Sequence, residues 1–130
     1  MKKISGLKVL EQIDGQGPGS VKGDNVTYNI KIFLNRGEEV PLNQQQVERL
    51  PERMNDIIRH ENGYKFIDHK TRLGERGPIA AIEYSLYGMK AGGYKKIKTS
   101  PHLAYREKGI PGLIPGDSAL TIEIWLREIN

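Results

Sequence analysis

Apolar and polar positions alternate most cleanly near the carboxy-terminal end of the chain. There Leu120, Ile122, Ile124 and Leu126 share one face, and Thr121, Glu123, Trp125 and Arg127 share the other. Alternation of period two predicts a strand with one buried and one wetted face, from about Ala119 to Ile129. Tyr94 to Thr99 predicts a second strand, and Asn25 to Asn35 a third, with Val26, Tyr28, Ile30 and Ile32 facing one way and Arg36-Gly37 closing a turn. Lys2 to Ile13 reads as one or two short strands with Leu7 and Val9 on a common face. The period turns helical after Pro78, which suits a first helical position. Ile79, Ile82, Glu83 and Leu86 recur at helical spacing, and Gly88 ends the run.

Two segments escape this alternation. From Val40 to about Lys70, Asn43 suits a helix cap with Gln46 at the third position of a capping box. Pro51 suits the first turn of another helix, in which Met54, Ile57 and Ile58 make an i, i+3, i+4 stripe that Gly63 stops. One or two short helices are therefore expected between Leu42 and His60, their stripe serving as satellite core or as a partner groove. Ser100 to Asp117 is too rich in proline and glycine for a strand or a long helix, yet it carries Leu103, Ala104, Tyr105, Ile110, Leu113 and Ile114. A long loop with that much apolar side chain reads as a lid or the wall of a site.

Composition narrows the class. The 130 residues fit one domain with a single core, and 37% hydrophobic with 28% charged residues reads as soluble and globular rather than disordered. No stretch approaches the roughly 20 apolar residues that span a bilayer, and no apolar run follows Met1-Lys2-Lys3, so export is not expected. Cysteine is absent, which removes disulfides, thiolate nucleophiles and thiolate metal sites and is compatible with a cytoplasmic location. The net charge of +4, with Lys95, Lys96 and Lys98 on one strand, leaves two readings. One is a solvated strand face, with Lys95 on the side of Ile97. The other is a phosphate-binding stripe, though no basic-aromatic module accompanies it.

Other constellations carry little chemistry. Gly15-Gln16-Gly17-Pro18-Gly19 lacks the spacing of a phosphate-binding loop and reads as a turn. His60, His69 and His102 have no metal-ligand spacing, Asp68-His69 with the distant Ser100 makes no recognisable triad, and Glu38-Glu39 reads as a solvated turn.

One resemblance ties these pieces together. The carboxy-terminal half carries G-M-K-x-G, then S-P-x-x-A-Y, then G-I-P-G-L-I-P and S-A-L-T-I-E-I-x-L. Its matching residues include Gly88, Met89, Gly92, Pro101, Ala104, Tyr105, Gly109, Pro111, Gly112, Ile114, Pro115, Ala119 and Leu120. The amino-terminal half adds G-L-K-V-L, G-x-G-x-x-S-V-K-G-D, V-T-Y and N-R-G. Together they resemble FKBP-type peptidyl-prolyl cis-trans isomerases over nearly the whole chain.

The resemblance implies an α+β fold in one domain over residues 1–130. A twisted antiparallel sheet of five or six strands wraps on the Pro78–Leu86 helix, with a short helical insertion at about 42–68. It also implies acceleration of X-Pro isomerisation in proline-containing polypeptides, with no cofactor, metal, nucleic acid or membrane partner, by a cytoplasmic monomer. Carried over residue by residue, Tyr105 donates its hydroxyl to the substrate carbonyl and the backbone N–H of Ile79 is a second donor. Ile82 forms the pocket floor, Ile30, Val40, Ile114 and Ile122 the walls, and Leu113 the flap. By residue type alone these isoleucines read as plain core before they read as a site, and only their coincidence with family positions reverses that.

Several positions depart from the family pattern. Ile30 stands for the aromatic of the second strand, Val40-Pro41 for the Phe-Asp pair, and Ile82 and Ile122 for two further aromatics. His69, or else Phe66, takes the place of the aromatic before Leu73-Gly74. An aliphatic pocket without the aspartate implies weak or narrow activity and poor binding of the family's immunosuppressant ligands. A non-catalytic protein-binding module is the alternative, and a nucleic-acid-associated basic domain is a third.

Overall fold

The long alternating strand at the end of the chain becomes the centre of a sheet. The computed structural model describes residues 4–75 and 77–130. In chain order its elements are β1 (Leu7–Ile13), β2 (Asn25–Leu34), α1 (Leu42–Arg49), β3 (Ile58–Glu61), β4 (Tyr64–Ile67), β5 (His69–Arg72), α2 (Ala80–Leu86), β6 (Tyr94–Thr99) and β7 (Leu120–Ile129). Five strands form one antiparallel sheet ordered β1-β6-β7-β2-β5, and β3 pairs with β4 in a separate hairpin. This is the α+β architecture expected from the sequence.

Register decides which side chains meet. Ile122 pairs with Ile32 on one side and with Ile97 on the other, so one face of the three central strands becomes a continuous apolar surface. Ala81, Ile82 and Leu86 of α2 pack into that face with Val26, Tyr28, Leu120, Ile124 and Leu126. Burial along β7 alternates as its sequence predicts, through Arg127. Lys95 shares the inner face, and its amine donates to the Ser85 carbonyl near the end of α2, 2.8 Å away. Burial lowers its pKa. Lys96 and Lys98, by contrast, pair with Glu123 and Thr121.

The expected start of α2 shifts. Pro78 is not the first helical residue: Ile79 is extended (φ −57°, ψ 154°) and the helix begins at Ala80. The first strand runs from Leu7, while Lys2 and Lys3 lie outside the described residues. Among the described residues no helix is long and apolar enough to cross a membrane.

The insertion departs most from expectation. Leu42–Arg49 is a helix, but Asn43 does not cap it; Pro41 takes the cap position and makes no side-chain capping bond. Glu52–Ile57 forms a 3-10 turn, and Ile58 leaves it as a strand, so the expected stripe of Met54, Ile57 and Ile58 does not form. Gly63 is not a helix stop. Asn62 (φ 51°) and Gly63 (φ 78°) are the two central residues of the β3–β4 hairpin, where both must adopt positive φ.

This hairpin is fixed to the outer face of the sheet. Phe66, 2% exposed, packs edge-on against Trp125 with ring centroids 5.1 Å apart. The fully buried Asn29 donates to the Ile67 carbonyl (2.8 Å) and to Asp68 (2.7 Å), and it accepts from Arg127 (2.6 Å). Arg59 grips Asp68 with two bonds, at 2.9 and 3.1 Å. Burial alone would raise the Asp68 pKa. Hydrogen bonds from Arg59 and Asn29, and the charges of Arg59 and Arg127, outweigh it and hold the carboxyl below its usual range.

Candidate functional site

Where β2 runs past the end of β5, its edge is taken over by α1. The carboxamide of Asn43 donates to the Ile30 carbonyl (2.9 Å) and the Tyr64 hydroxyl (3.1 Å), and accepts from the Ile67 N–H. These bonds seat α1 beside the sheet and leave a cavity of about 170 Å³ between it, β2 and the start of α2. Tyr28, Ile30 and Ile32 line it from β2, and Leu42, Asn43 and Gln46 from α1. His69 closes one side, Pro78, Ile79 and Ile82 another, and Tyr105 reaches in from the long loop.

The walls are apolar and the polar groups among them are uncharged. Tyr28 and His69 are opposite one another across β2 and β5, and their rings stack with centroids 5.3 Å apart. Burial, opposed by the nearby Asp68 charge, lowers the His69 pKa and keeps the imidazole neutral at pH 7. Burial raises the pKa of Tyr105, and burial first, then repulsion from Tyr105 were it ionised and from the Glu83 charge, raises that of Tyr28. Both phenols therefore keep their protons and can donate.

Those donors are uncommitted. Among the described residues neither tyrosine hydroxyl makes a hydrogen bond, and no buried side-chain nitrogen or oxygen lacks a partner. Neither hydroxyl is therefore sealed away, and both residues line the cavity. The N–H of Ile79 likewise meets no acceptor among the described residues, while its carbonyl takes the first bonds of α2.

Tyr105 is held by a loop that bonds to itself. Gly109 N–H donates to the Tyr105 carbonyl, Ile110 and Ile114 exchange backbone bonds, and Asp117 N–H donates to Arg106. Gly109 is required: its φ is +59° and a Cβ there would strike the Ile114 carbonyl.

An antiparallel sheet on one short helix, with a tyrosine-bearing loop over their junction, narrows the possibilities, and comparison with known proteins decides among them. The sequence model for FKBP-type peptidyl-prolyl cis-trans isomerases matches residues 17–127. The chain belongs to the FKBP family. It is 28% identical over 129 residues to FK506-binding protein 1A of Neurospora crassa, covering 98% of this chain and 92% of that protein. It is 29% identical over 130 residues to FK506-binding protein 4 of Aspergillus oryzae, of which it spans only 23%. The 46 kDa FK506-binding nuclear protein of Spodoptera frugiperda is 39% identical over 68 residues, 52% of this chain and 15% of that protein. Peptidyl-prolyl isomerase chemistry is the general function of the family.

Against the FKBP expectations, Tyr105, Ile79, Ile30, His69 and Ile82 come together around this cavity. Val40, Ile114 and Ile122 do not line it. They are 2%, 2% and 0% exposed, sealed into the core. Ile122 sits on the central strand, flanked by Ile32 and Ile97, so no opening reaches it. Leu113 packs half-buried on the core cluster without lining the cavity. His69, not Phe66, is the aromatic before Leu73, because Phe66 lies on the outer face against Trp125.

Tyr28 was missed. The resemblance put Ile30 in its place, although Tyr28 lies two residues earlier on the same face. Leu42 and Gln46 were also missed, since the α1 pattern gives a cap reading and nothing local reveals what a helix face packs against.

Proposed function

We propose that this chain accelerates cis-trans isomerisation of X-Pro bonds in proline-containing polypeptides, acting as a monomer and with modest activity. Isomerisation requires the amide to twist through a barrier of about 18–20 kcal/mol. Water hydrogen-bonds best to the charge-separated planar amide, so a dry pocket that takes the prolyl ring already favours the twisted form. A thousandfold acceleration needs only about 4 kcal/mol.

The observation that carries this reading is the uncommitted Tyr105 hydroxyl, on a residue that lines a cavity floored by Ile82 and walled by the Tyr28 ring. Tyr105 donates to the substrate carbonyl, and the Ile79 N–H holds a second carbonyl of the peptide. The Tyr28 face supports the prolyl ring, a role aromatic faces suit. Activity is modest because Val40 and Pro41 bring no carboxylate to the amide and the floor is aliphatic. The relatives' names refer to FK506. This chain binds that class of ligand poorly, since about 170 Å³ is below the ~300–1,000 Å³ of a drug-sized site.

A protease-coupled assay on a panel of X-Pro peptides tests the proposal. Wild-type protein accelerates isomerisation and Tyr105→Phe lowers kcat/KM about tenfold, the scale of one well-placed hydrogen bond. Folded wild-type protein that accelerates none of the peptides contradicts it. The same loss of carboxylate and aromatics favours a second reading, a protein-binding module that holds proline segments without catalysis.

A further inference from the structure

The insertion brings the cavity a polar side chain that nothing else in the fold uses. Leu42 and Gln46 lie one turn apart on α1, and both line the cavity. Asn43 beside them is spent on three bonds that fix the helix to β2 and β4. Gln46 is half-buried and makes no hydrogen bond among the described residues, yet no buried side-chain polar atom there is without a partner. Its carboxamide is therefore not sealed away, on a helix turn whose Leu42 and Gln46 both line the cavity. Val40 is in the core and Pro41 has no polar side chain, so neither competes with it.

We infer that Gln46 is a substrate-binding residue, and that through it the insertion sets which X-Pro sequences are accepted. A carboxamide offers one donor face and one acceptor face, matching the N–H and C=O of an extended peptide beside the prolyl ring. No side chain lining the cavity carries a charge at pH 7, since burial keeps Tyr28, Tyr105 and His69 neutral and the remainder are amides or apolar. The inference rests on the cavity taking proline, as proposed above.

The test titrates X-Pro peptides, with Ala, Leu, Glu or Lys before proline, into ¹⁵N-labelled protein. It follows the Gln46 side-chain amide signals, assigned by their loss in Gln46→Ala, and measures kcat/KM for wild type, Gln46→Ala and Gln46→Glu. Peptides with Ala or Leu move the Gln46 signals. Gln46→Ala loses about two- to tenfold in kcat/KM through KM on those peptides, and Gln46→Glu shifts preference toward Lys before proline. If wild type is inactive but the peptides still move the Gln46 signals, catalysis fails and this assignment stands. Gln46 signals that no peptide moves, or wild-type kcat/KM on every peptide in Gln46→Ala, overturn it.

Discussion

Tyr28 and His69 face each other across the β2–β5 ladder and stack their rings, 5.3 Å between centroids and 26° between planes. The pair gives the cavity an aromatic wall, and it joins a titratable group to the surface that we propose receives the prolyl ring.

The wall should therefore respond to pH. Burial lowers the folded-state pKa of His69 below its ordinary value of about 6.5. The folded protein thus binds fewer protons than the unfolded chain as pH falls past about 6.5, so the neutral form's stability is lost below that point and the loss is complete below the folded pKa. Peptide affinity should follow an acid limb with an apparent pKa under about 6.5. His69→Phe should keep the stacking and flatten that limb, as titration calorimetry between pH 5 and 8 would read. A limb of unchanged shape in His69→Phe assigns the pH dependence elsewhere.

Removing the ring itself tests its contact with proline. Tyr28→Leu keeps an apolar side chain but loses the aromatic face, a contact worth about 0.5–1.5 kcal/mol. Peptide KM should rise about two- to tenfold. Unchanged KM would place the prolyl ring away from Tyr28.

The insertion is part of the body, not an appended flap. Phe66→Ala removes a side chain that is 2% exposed and should cost about 3–5 kcal/mol in urea unfolding. An independent flap would leave the midpoint where it was.

Asp68 anchors the same hairpin electrostatically. Its folded pKa is depressed, so its contribution is fully present above the unfolded value near 3.9 and is lost as pH falls toward the folded one. Asp68→Asn should cost about 1–3 kcal/mol at pH 7, and the difference from wild type should shrink below pH 4. A difference independent of pH would mean that shape, not charge, holds the hairpin.

Most of the fold was legible because its signals are local and redundant. The alternation of Leu120, Ile122, Ile124 and Leu126 admits one buried face, and the resemblance of S-P-x-x-A-Y to the FKBP motif pointed to Tyr105. The hairpin was misread because Met54, Ile57 and Ile58 mimic a helical stripe. The stronger signal was Asn62-Gly63 followed by Tyr64, Phe66 and Ile67, a hairpin-turn pair opening a run of strand-forming residues. In the site, the resemblance named Tyr105, Ile79, Ile82, Ile30 and His69, which the fold brings around one cavity, but it did not separate wall from core. Val40, Ile114 and Ile122 have the composition of a pocket and of a core alike, and only packing separates them. Gln46 reaches the cavity through the way α1 docks on β2, a tertiary contact with no sequence period.

The central claim is that this cavity turns over X-Pro bonds. Two-dimensional exchange NMR on one Ala-Pro peptide tests it directly, with and without a catalytic amount of protein, at a mixing time of about one second. Uncatalysed exchange takes tens to hundreds of seconds and gives no cross-peaks between the cis and trans signals at that time. Wild-type protein brings up the cross-peaks, and Tyr105→Phe weakens them. Peptide signals that shift or broaden on binding, without cross-peaks at any protein concentration, would contradict it and leave a module that holds proline without turning it.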